Sequence, residues 1–488
     1  MKLETLIRRL REGELTGDPG CEVRGITHDS RQAAPGFIFA ALPGEHSHGI
    51  DYLEQALEGG ASAILSDRRP RKNLDVPWIK CRRPRPLMAR AAWILAGNPQ
   101  KKLQMLAVTG TNGKSTTAHL ISLILSSARR PAAFIGTLGA RIPGRVEMAS
   151  ERTTPEATDL APMLKRAVAE GSTAVAMEVS SHALSQDRLA GLEFEVAVWT
   201  NLTRDHLDYH HDMESYFEAK RRLFTEHLAG DGRRVLPVDD PWGARLLDEP
   251  RDGDVSWGLE RGAVCVRDVS SDLDGSRFIL RLGEEEIEVD LPLVGVHNLR
   301  NAIAAAAAAS AAGLNARAIK RGLERAQPLT GRMERVSVNA PFPVFVDYAH
   351  TPDGLRSVLQ ALRRVTDRRL IVVFGAGGDR DQGKRGPMGF AVGEAADLAV
   401  VTSDNPRSED PAKIAEAVAD GVRAAGAEPQ VVLDRREAIA TALDSADEKS
   451  LVLVAGKGHE AFQTIGDQRI PFSDHDVVRT EARRARCA

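Results

Sequence analysis

The sequence predicts an α/β protein with three domains and mainly parallel sheets. Short apolar runs alternate with helix-like stretches along nearly all 488 residues, a pattern typical of strand–helix–strand units. Two breaks interrupt the alternation, one at Gly97 to Pro99 and one at Pro328 to Met333. Because glycine and proline at such breaks end helices, we predict domains over residues 1–98, 99–332 and 333–488.

The first domain is predicted from a strand, a helix and a strand in FIFAAL, DYLEQALEGG and ASAILSD, between Phe37 and Asp67. A helix in PLMARAAWILAG should then end at Gly97. Upstream, MKLETLIRRLREGEL is charged throughout its length. This indicates an amphipathic helix and not a signal peptide, which would need a continuous apolar segment.

The central domain should begin with the strand LQMLAVTG and end with the helices NLRNAIAAAAAASAAGL and NARAIKRGLERA. The alanine-rich run is too short and too weakly apolar for a membrane span, and we interpret it as a closely packed helix. Five further strand patterns follow in VFVDYAH, LIVVFGAGG, DLAVVTSD, PQVVLD and LVLVAGKG. They predict a Rossmann-like, doubly wound C-terminal domain, in which ligands bind beyond the carboxyl ends of strands.

The composition argues against several classes of partner. The formal net charge is -3 and charged residues make up 27% of the chain, so nothing indicates nucleic acid or an anionic membrane surface. The 4 cysteines lie far apart and form no CxxC pair. We therefore predict neither a disulfide framework nor a thiolate metal site, as in a cytoplasmic protein.

The strongest motif is VTGTNGKSTT, from Val108 to Thr117. A strand leads into a glycine-rich turn and then into Lys114 and Ser115 at the start of a helix. Backbone N–H groups of such a turn bind phosphate, the lysine neutralises its charge and the hydroxyl reaches magnesium. The longer pattern GxxxxGK[ST] would need glycine at Val108, so this is a shorter loop, GTNGKS. The alternative is a glycine turn without a ligand.

Acidic and histidine side chains follow two strand patterns of the central domain. Glu178 ends AVAME, where an enzyme with a phosphate loop holds magnesium, although it could instead cap the next helix. The stretch TNLTRDHLDYHHD, from Thr200 to Asp212, is rich in histidine and aspartate. It could bind magnesium, it could bind zinc despite lacking HExxH and cysteine, or it could be a solvated loop.

Two turns follow strands of the C-terminal domain. GAGGDR lacks the third glycine of a dinucleotide motif, because Arg380 occupies that position, and the following DQGKRGPMG is predicted to be a loop. The turn Asp404-Asn405-Pro406-Arg407 carries charges of both signs after the strand LAVV. It is either an ordinary solvated turn or a binding site in which Pro406 limits the entropy lost in holding Arg407.

Several motifs together resemble those of the Mur ligase family, the ATP-dependent amide ligases of peptidoglycan precursor synthesis. In chain order they are GTNGKST, MEVSSHAL, TNLTRDHLDYH, VGVHNLRNAIAA, TGRMERV, DYAHTP, GGDRD and GKGHE. The resemblance implies an N-terminal uridine-nucleotide-binding domain, a central ATPase domain and a C-terminal amino-acid-binding domain. THDSRQAAPGFIFAALPG and DNPR resemble members that add meso-2,6-diaminopimelate to UDP-N-acetylmuramoyl-L-alanyl-D-glutamate. L-lysine or another diamino acid is the alternative substrate.

The resemblance implies a binding role for each matching residue. The ATP site would comprise Gly110, Thr111, Asn112, Gly113, Lys114, Ser115, Thr116, Asn298, Arg332 and Asp347. The muramoyl dipeptide nucleotide would contact His28, Ser30, Glu45, His46, Ser47, Arg152, Thr153, Thr154, Ser180, Gln186 and Arg188. The turn at residues 45–47 departs from the HQA of some relatives. The amino acid would contact Arg380, Asp404, Asn405, Pro406, Arg407, Gly456 and Glu460.

The same resemblance implies the catalytic residues and the cofactors, ATP and Mg²⁺. Catalysis would depend on Lys114, Glu178, His206 and Lys220. Magnesium would be bound by Ser115, Glu178, His206 and a carbamate formed from carbon dioxide on Lys220. By itself, YFEAKRRLF predicts only a solvated helix lysine at that position. The implied reaction converts the D-glutamyl γ-carboxylate to an acyl phosphate, which the amine of the amino acid then attacks. We expect a cytoplasmic monomer without a nucleic-acid partner.

Three other functions stay open at this point. Folylpolyglutamate synthase would share GTNGK but lack the N-terminal sugar-nucleotide domain and DNPR. A phosphotransferase would keep the phosphate on its product, whereas a ligase releases it. A nucleotide-switch module would need no amino-acid pocket and would show no ATP consumption stimulated by other substrates.

Overall fold

The computed structural model describes residues 1–44, 47–69, 74–143, 145–148 (backbone only) and 152–484. Glu45 and His46, which were expected to contact the uridine nucleotide, lie outside these ranges. Short 3-10 helices cover Ser30–Gln32, Gly49–Tyr52, Pro99–Lys102 and Gln382–Lys384.

The N-terminal sheet, as far as the chain is described, has five strands. They are β1 (Glu14–Thr16), β2 (Gly25–Thr27), β3 (Phe37–Ala41), β4 (Ala63–Ser66) and β5 (Trp78–Lys80). Their order is β1-β5-β4-β3-β2, with β1 antiparallel to β5 and the other pairs parallel. The accompanying helices are α1 (Leu3–Leu10), α2 (Leu53–Glu58) and α3 (Pro84–Ala96). Helix α1 is amphipathic as predicted, because Leu3, Leu6 and Leu10 are buried.

The central sheet comprises eleven strands in the described part of the chain. They are β6 (Gln104–Thr109), β7 (Ala132–Gly136), β8 (Gly139–Ile142), β9 (Arg145–Met148), β10 (Ala174–Glu178), β11 (Phe194–Trp199), β12 (Leu228–Pro237), β13 (Val255–Trp257), β14 (Val264–Ser271), β15 (Ser276–Leu282) and β16 (Glu285–Leu291). Their order is β16-β15-β14-β13-β12-β11-β6-β10-β7-β8-β9. Pairs from β14 to β7 are parallel, and the two ends of the sheet are antiparallel.

Helices cover this central sheet and bring polar loops to the carboxyl ends of its parallel strands. They are α4 (Lys114–Ser127), α5 (Ala157–Ala169), α6 (Ser181–Ser185), α7 (Leu207–His210), α8 (Met213–Thr225), α9 (Pro241–Leu247), α10 (Val296–Ala311) and α11 (Ala316–Glu324). The alanine-rich helix α10 is buried around most of its circumference and contacts α4, α11 and the strands. Its small side chains permit this close approach, which confirms the prediction of a tightly packed helix.

The C-terminal sheet has six strands within the described residues. They are β17 (Glu334–Arg335), β18 (Val344–Asp347), β19 (Arg369–Phe374), β20 (Leu398–Val401), β21 (Gln430–Val431) and β22 (Ser450–Ala455). The order is β17-β18-β22-β19-β20-β21, and every pair except β17–β18 is parallel. A hairpin of β23 (Phe462–Ile465) and β24 (Gln468–Pro471) follows. The helices are α12 (Pro352–Val365), α13 (Arg385–Gly393), α14 (Pro411–Ala424), α15 (Arg435–Asp444) and α16 (Asp474–Arg484).

One local prediction in this domain is wrong. DQGKRGPMG was expected to be a loop, but helix α13 begins at Arg385. Its glycines reflect close helix packing and not a turn. A Cβ atom on Gly389 would lie 1.9 Å from the Val418 carbonyl oxygen of α14, and one on Gly421 would lie 2.0 Å from the Gly386 carbonyl oxygen.

The predicted α/β architecture with three sheets is confirmed, whereas the domain boundaries at residues 98 and 332 stay predictions. None of the described helices has the length and apolar character needed to cross a bilayer. Cys21, Cys81 and Cys265 are free thiols, and Cys487 lies outside the described residues.

Candidate active site

The loop between β6 and α4 has a backbone that requires glycine at two positions. Gly110 has a φ of 149° and Gly113 a φ of 84°. A Cβ atom on Gly110 would lie 1.9 Å from the Thr200 hydroxyl, and one on Gly113 would lie 2.2 Å from the Asn301 side-chain oxygen. The loop is therefore shaped by close contact with the loop after β11 and with helix α10.

Lys114 is the first residue of α4, and its ammonium folds back over the loop. Nζ donates to the Gly110 carbonyl at 3.0 Å and to the Thr111 carbonyl at 2.8 Å. Burial lowers the pKa of this lysine, and the negative charge of Glu178 acts in the opposite direction. No carboxylate within the described chain forms an ion pair with Lys114, so a bound anion could take that place.

Glu178 ends β10 directly beside β6, where it pairs with Val108. The side chain is fully buried, and its two oxygens accept hydrogen bonds from the Thr137 backbone N–H at 2.9 Å and the Thr137 hydroxyl at 3.1 Å. The helix-cap alternative is wrong, because the cap of α6 is Ser180, whose hydroxyl accepts from the Ala183 N–H at 3.2 Å.

Lys220 of α8 is buried, with 1% of its surface exposed. Nζ donates to the Gly110 carbonyl at 2.8 Å and lies 4.6 Å from the centre of the Tyr216 ring. Burial, together with the positive charge of Lys114, sets the pKa of Lys220 well below its ordinary value. The expectation of a solvated helix lysine is therefore wrong, and the surroundings of the amine favour its uncharged form.

The stretch between Thr200 and Asp212 is packed in its middle, where Asp205 is buried, and solvated at its end. His206 has a φ of 55°, and burial lowers its pKa to about 4. Burial opposes ionisation of Asp205, but the charges of His206, His350 and Lys384 outweigh it and hold its pKa at about 2. In the ranges covered, no three His, Cys, Asp or Glu side chains are arranged to hold a metal ion, so zinc receives no support.

A cavity of about 330 Å³ opens beside the phosphate loop, between the central and C-terminal sheets. Seven residues predicted for ATP line it, namely Asn112, Gly113, Ser115, Thr116, Asn298, Arg332 and Asp347. Gly110, Thr111 and Lys114 are not part of its wall. Sequence reasoning missed further lining residues, among them Asp239, Trp257, His297, Arg300 and Asn301. We call this space the nucleotide cavity.

Of the predicted ATP residues, Arg332 contacts both sides of this cavity, whereas Asp347 is held within the C-terminal domain. The Arg332 guanidinium lies 4.5 Å from the centre of the Tyr348 ring, and its Nη2 is 3.4 Å from the Ser115 hydroxyl. The Asp347 carboxylate accepts from the backbone N–H groups of Met333 at 2.6 Å and Ala349 at 2.7 Å. Burial raises the pKa of Asp347.

A second cavity of about 260 Å³ lies at the carboxyl ends of the C-terminal strands, and we call it the charged cavity. Six of the seven predicted amino-acid residues line it, namely Arg380, Asp404, Asn405, Arg407, Gly456 and Glu460, whereas Pro406 does not. Sequence reasoning missed Asp205, Asp208, Tyr348, His350, Gly377, Asp381 and Lys384. Tyr348 and His350 also line the nucleotide cavity, so the two spaces share a wall.

Arg407 is half-buried and has a φ of 52°. Its guanidinium donates from Nη1 to the Gly378 carbonyl at 2.7 Å and to the Asn405 carbonyl at 3.5 Å. Among the residues described, no carboxylate lies within ion-pair distance of it. Burial and the neighbouring charge of Arg380 lower its pKa. The side chain is thus held by neutral carbonyls, and the carboxylates of Asp404, Glu460 and Asp379 act on its charge only from beyond ion-pair distance.

Asn405 is held by a buried network behind the charged cavity. Its amide N–H donates to Glu460 Oε2 at 2.8 Å, and its side-chain oxygen accepts from Lys457 Nζ at 3.2 Å and from the Thr464 N–H at 2.9 Å. Lys457 is fully buried and pairs with the same Glu460 oxygen at 2.8 Å. Asn405 therefore fixes the turn, and it also lines the charged cavity.

The residues predicted for the muramoyl dipeptide nucleotide fall into two groups. Thr154 and Ser180 are hydrogen-bonded to each other, and Arg152 and Arg188 converge with Arg85 on the buried carboxylate of Glu156. Other members of the expected set have separate contacts: Thr153 with Thr137, Gln186 with Arg188, His28 with Thr158 and Ser30 with Gln55. Ser47 is exposed.

Comparisons with known proteins agree along the whole chain. Three family profiles match: "Mur ligase family, catalytic domain" at residues 22–107, "Mur ligase middle domain" at 108–309 and "Mur ligase, glutamate ligase domain" at 331–458.

Two curated relatives are both named UDP-N-acetylmuramoyl-L-alanyl-D-glutamate–2,6-diaminopimelate ligase. The protein of Solibacter usitatus is 42% identical, and the match covers 94% of this chain and 93% of that one. The protein of Geobacter metallireducens is 41% identical, with 98% of each chain covered.

A solved structure with the same protein name is 33% identical, has a TM-score of 0.67 and is matched over 100% of this chain and 99% of its own. Because relatives this similar are matched over nearly their full length, the chain belongs to the Mur ligase family.

Proposed function

We propose that this protein is an ATP-dependent amide ligase that joins meso-2,6-diaminopimelate to UDP-N-acetylmuramoyl-L-alanyl-D-glutamate, with release of ADP and phosphate. The observation that carries the proposal is the wall of Tyr348 and His350 shared by the nucleotide cavity and the charged cavity. A phosphoryl group in the first space and an amine in the second would meet beside this wall. The names of the relatives support these substrates.

The phosphate loop supplies the groups that bind ATP in this proposal. Residues 110–116 surround the phosphates, and the Lys114 ammonium, now held by two carbonyls, pairs with phosphate oxygens instead. Asn298, Arg332 and Asp347 approach the nucleoside from the opposite wall. Positioning and compensation of charge are the main catalytic requirements of phosphoryl transfer.

The residues near the loop fit magnesium chemically. The Ser115 hydroxyl and the Glu178 carboxylate are oxygen donors, which this ion prefers, and burial keeps the His206 imidazole unprotonated. Ser115, Glu178, His206 and a carbamate on Lys220 would hold the ion. When bound, it supplies positive charge that polarises the phosphoryl oxygens.

Carbamylation of Lys220 agrees with the surroundings of its amine. The uncharged amine attacks carbon dioxide, an N–C bond forms and one proton is released, so an ammonium is exchanged for an anionic carbamate. Burial and the nearby charge of Lys114 favour the uncharged amine. The carbamate would then stand beside Lys114, where a second cation is unfavourable and an anion is favourable.

The ligation itself follows from charge and exclusion of water. The D-glutamyl γ-carboxylate attacks the γ-phosphate of ATP, forming a C–O–P linkage and releasing ADP. The amine of diaminopimelate attacks the acyl carbon, phosphate leaves with the bonding electrons, and the amine loses a proton. An acyl phosphate would hydrolyse in water, so the domains would have to close around the reactants to exclude it.

Arg407 is the residue that favours diaminopimelate over L-lysine in this proposal. Diaminopimelate has one carboxylate more than lysine, and a guanidinium binds a carboxylate in bidentate geometry. With lysine bound, the partly buried charge of Arg407 would stay uncompensated, which is costly. The muramoyl dipeptide would contact Thr154, Ser180 and Arg188. We further propose that the enzyme works as a cytoplasmic monomer.

The test is phosphate release from ATP by the purified protein with the dipeptide nucleotide and an amino acid, each omitted in turn. We expect ADP, phosphate and a new amide only when all three substrates are present, with meso-2,6-diaminopimelate preferred over L-lysine. AMP with pyrophosphate, or a stable phosphorylated product, would contradict a ligase. A preference for L-lysine would contradict the role of Arg407.

A further inference from the structure

Lys384 is a buried cation of the charged cavity that the proposed chemistry leaves without a task. It ends the 3-10 helix Gln382–Lys384, and 6% of its surface is exposed. The buried lysines Lys220 and Lys457 each donate to an acceptor. The Lys384 ammonium has neither a hydrogen bond nor an ion pair among the described residues. Burial of a charge without a partner is unfavourable, which points to a ligand that supplies one.

The backbone around Lys384 is fixed, so its position is not incidental. Asp381 accepts from the Gly383 N–H at 2.9 Å and caps the 3-10 helix. Arg385, the next residue, pairs with Glu409 through two contacts of 2.8 and 2.9 Å. The ammonium is therefore presented to the cavity from a rigid element.

The charged cavity has a cation at each of two ends. Lys384 acts electrostatically on Asp205 and His350, on the side of the cavity that contains His206 and the wall shared with the nucleotide. Arg407 is influenced instead by Asp404 and Glu460, from the loops after β20 and β22. Arg380 is exposed. A ligand with a carboxylate at each end matches this distribution of charge.

We propose that Lys384 binds the substrate carboxylate adjacent to the amine that reacts. This inference rests on the proposed ligase function, in which that amine must approach the shared wall while its neighbouring carboxylate stays ionised and loses water. Lys384 compensates the proximal carboxylate, and Arg407 compensates the distal one. L-lysine has the first carboxylate and lacks the second, so the two cations contribute to different properties: Lys384 to binding of any α-amino acid, and Arg407 to the choice between them.

The experiment compares Lys384→Gln, Arg407→Gln and the control Lys413→Gln, which alters an exposed lysine of α14. Initial rates are measured with saturating ATP and dipeptide nucleotide and with varied diaminopimelate or L-lysine. For Lys384→Gln we expect KM to rise about 10- to 100-fold for both amino acids, with their ratio and the KM for ATP unchanged within about threefold. Arg407→Gln should change the ratio, and the control should change neither.

A role limited to compensating Asp205 predicts a different result. Lys384→Gln would then lower kcat or shift its pH profile while the KM values for both amino acids stayed within about threefold of wild type, and this would overturn the proposal. A rise in KM for diaminopimelate alone would also overturn it. If the wild-type protein forms no amide at all, the failure lies with the proposed function and not with Lys384.

A second measurement needs no variant and so does not depend on folding of Lys384→Gln. The monoamide of diaminopimelate that lacks the proximal carboxylate replaces the natural substrate in the wild-type assay. We expect its KM to be at least about tenfold higher, because the neutral amide leaves the ammonium uncompensated. Equal KM values for the monoamide and diaminopimelate would overturn the proposal.

Discussion

Arg435 and Arg407 are both arginines of the C-terminal domain, but within the described chain only Arg435 forms an ion pair with a carboxylate. Arg435 is fully buried, and its Nε and Nη2 donate to the two oxygens of Asp474 at 2.8 Å each. Its Nη2 also donates to the Ala455 carbonyl at 2.9 Å. Arg407 donates to backbone carbonyls, and within the described chain no carboxylate lies within ion-pair distance of it.

This comparison distinguishes charged side chains that stabilise the fold from charged side chains that are available to bind a ligand. A buried bidentate ion pair is part of the structure, and loss of one partner leaves the other charge uncompensated. A charged side chain that faces a cavity and forms no ion pair can bind a ligand of opposite charge. Lys384 belongs with Arg407 in this respect, whereas Lys220 is held by the Gly110 carbonyl and lines neither cavity. The following predictions test this distinction in order of expected effect.

Lys220→Ala should have the largest effect on activity. The change removes the amine that would become a carbamate beside the phosphate loop, so we expect turnover to fall by about 10³-fold or more while the fold is retained. Ligation rate and circular dichroism provide the measurements, and Lys165→Ala, an exposed lysine of α5, is the control. A small carboxylic acid should restore part of the activity. Turnover near the wild-type value in folded Lys220→Ala would return this residue to a structural role.

Arg407→Ala should lower kcat/KM for diaminopimelate by about 100-fold and reduce its preference over L-lysine. The physical reason is loss of the cation that compensates the distal carboxylate. Use of lysine should improve much less, because Asp404 and Glu460 still line that end of the cavity. The ratio of kcat/KM values for the two amino acids is the measurement, with exposed Arg364→Ala as the control. An unchanged ratio would remove Arg407 from selection.

Arg435→Met should act on stability and not on substrate choice. The buried Asp474 carboxylate would lose its partner, at a cost of about 3–5 kcal/mol. Urea unfolding measures the change, and the double variant Arg435→Met/Asp474→Leu should recover most of the loss. The ratio of kcat/KM values for the two amino acids should stay within about threefold of wild type. A large change in that ratio without loss of stability would contradict the distinction drawn between Arg435 and Arg407.

Arg204→Ala should have the smallest effect. Arg204 joins the central and C-terminal sheets through a contact of 3.2 Å with Asp381, but half of its side chain is exposed, at 52%. Exposed ion pairs contribute about 0–1 kcal/mol, so kcat/KM should change less than about fivefold. Raising the salt concentration should reduce the difference between wild type and variant, since screening weakens the pair in wild type. A much larger loss that salt leaves unaffected would assign Arg204 a task beyond this ion pair.

The phosphate loop could be predicted from the sequence because it is continuous. Residues 108–117 contain the strand end, both required glycines and the first turn of α4, so local pattern and structure coincide. Lys220 was named only through the family resemblance, and its burial was not predicted from its local sequence although a signal was present. Tyr216, Phe217, Leu223 and Phe224 are buried, and Lys220 has the same helical spacing, which places it on the apolar face of α8.

The charged cavity could be predicted only in part, because it is assembled from separate loops. The turn at residues 404–407 could be recognised from its charged residues, which directly follow an apolar strand. Lys384 gave no such signal, and Asp205 was noticed only as part of an acidic and histidine-rich stretch, since their place in this cavity depends on how the central and C-terminal sheets face each other. The glycines of α13 led to the wrong prediction of a loop. They are required by close contact with α14, and such tertiary contacts cannot be read from local helix propensity.

The wall shared by the two cavities has a consequence for inhibitor design. Tyr348 and His350 border both spaces, so a molecule with one arm in each space needs only a short tether across these two rings. Once the first arm is seated, the second binds at an effective concentration set by the tether and not by the solution. Two weak fragments joined at this point should therefore bind far more tightly than either alone, and a compound of this kind would occupy the nucleotide cavity and the charged cavity together.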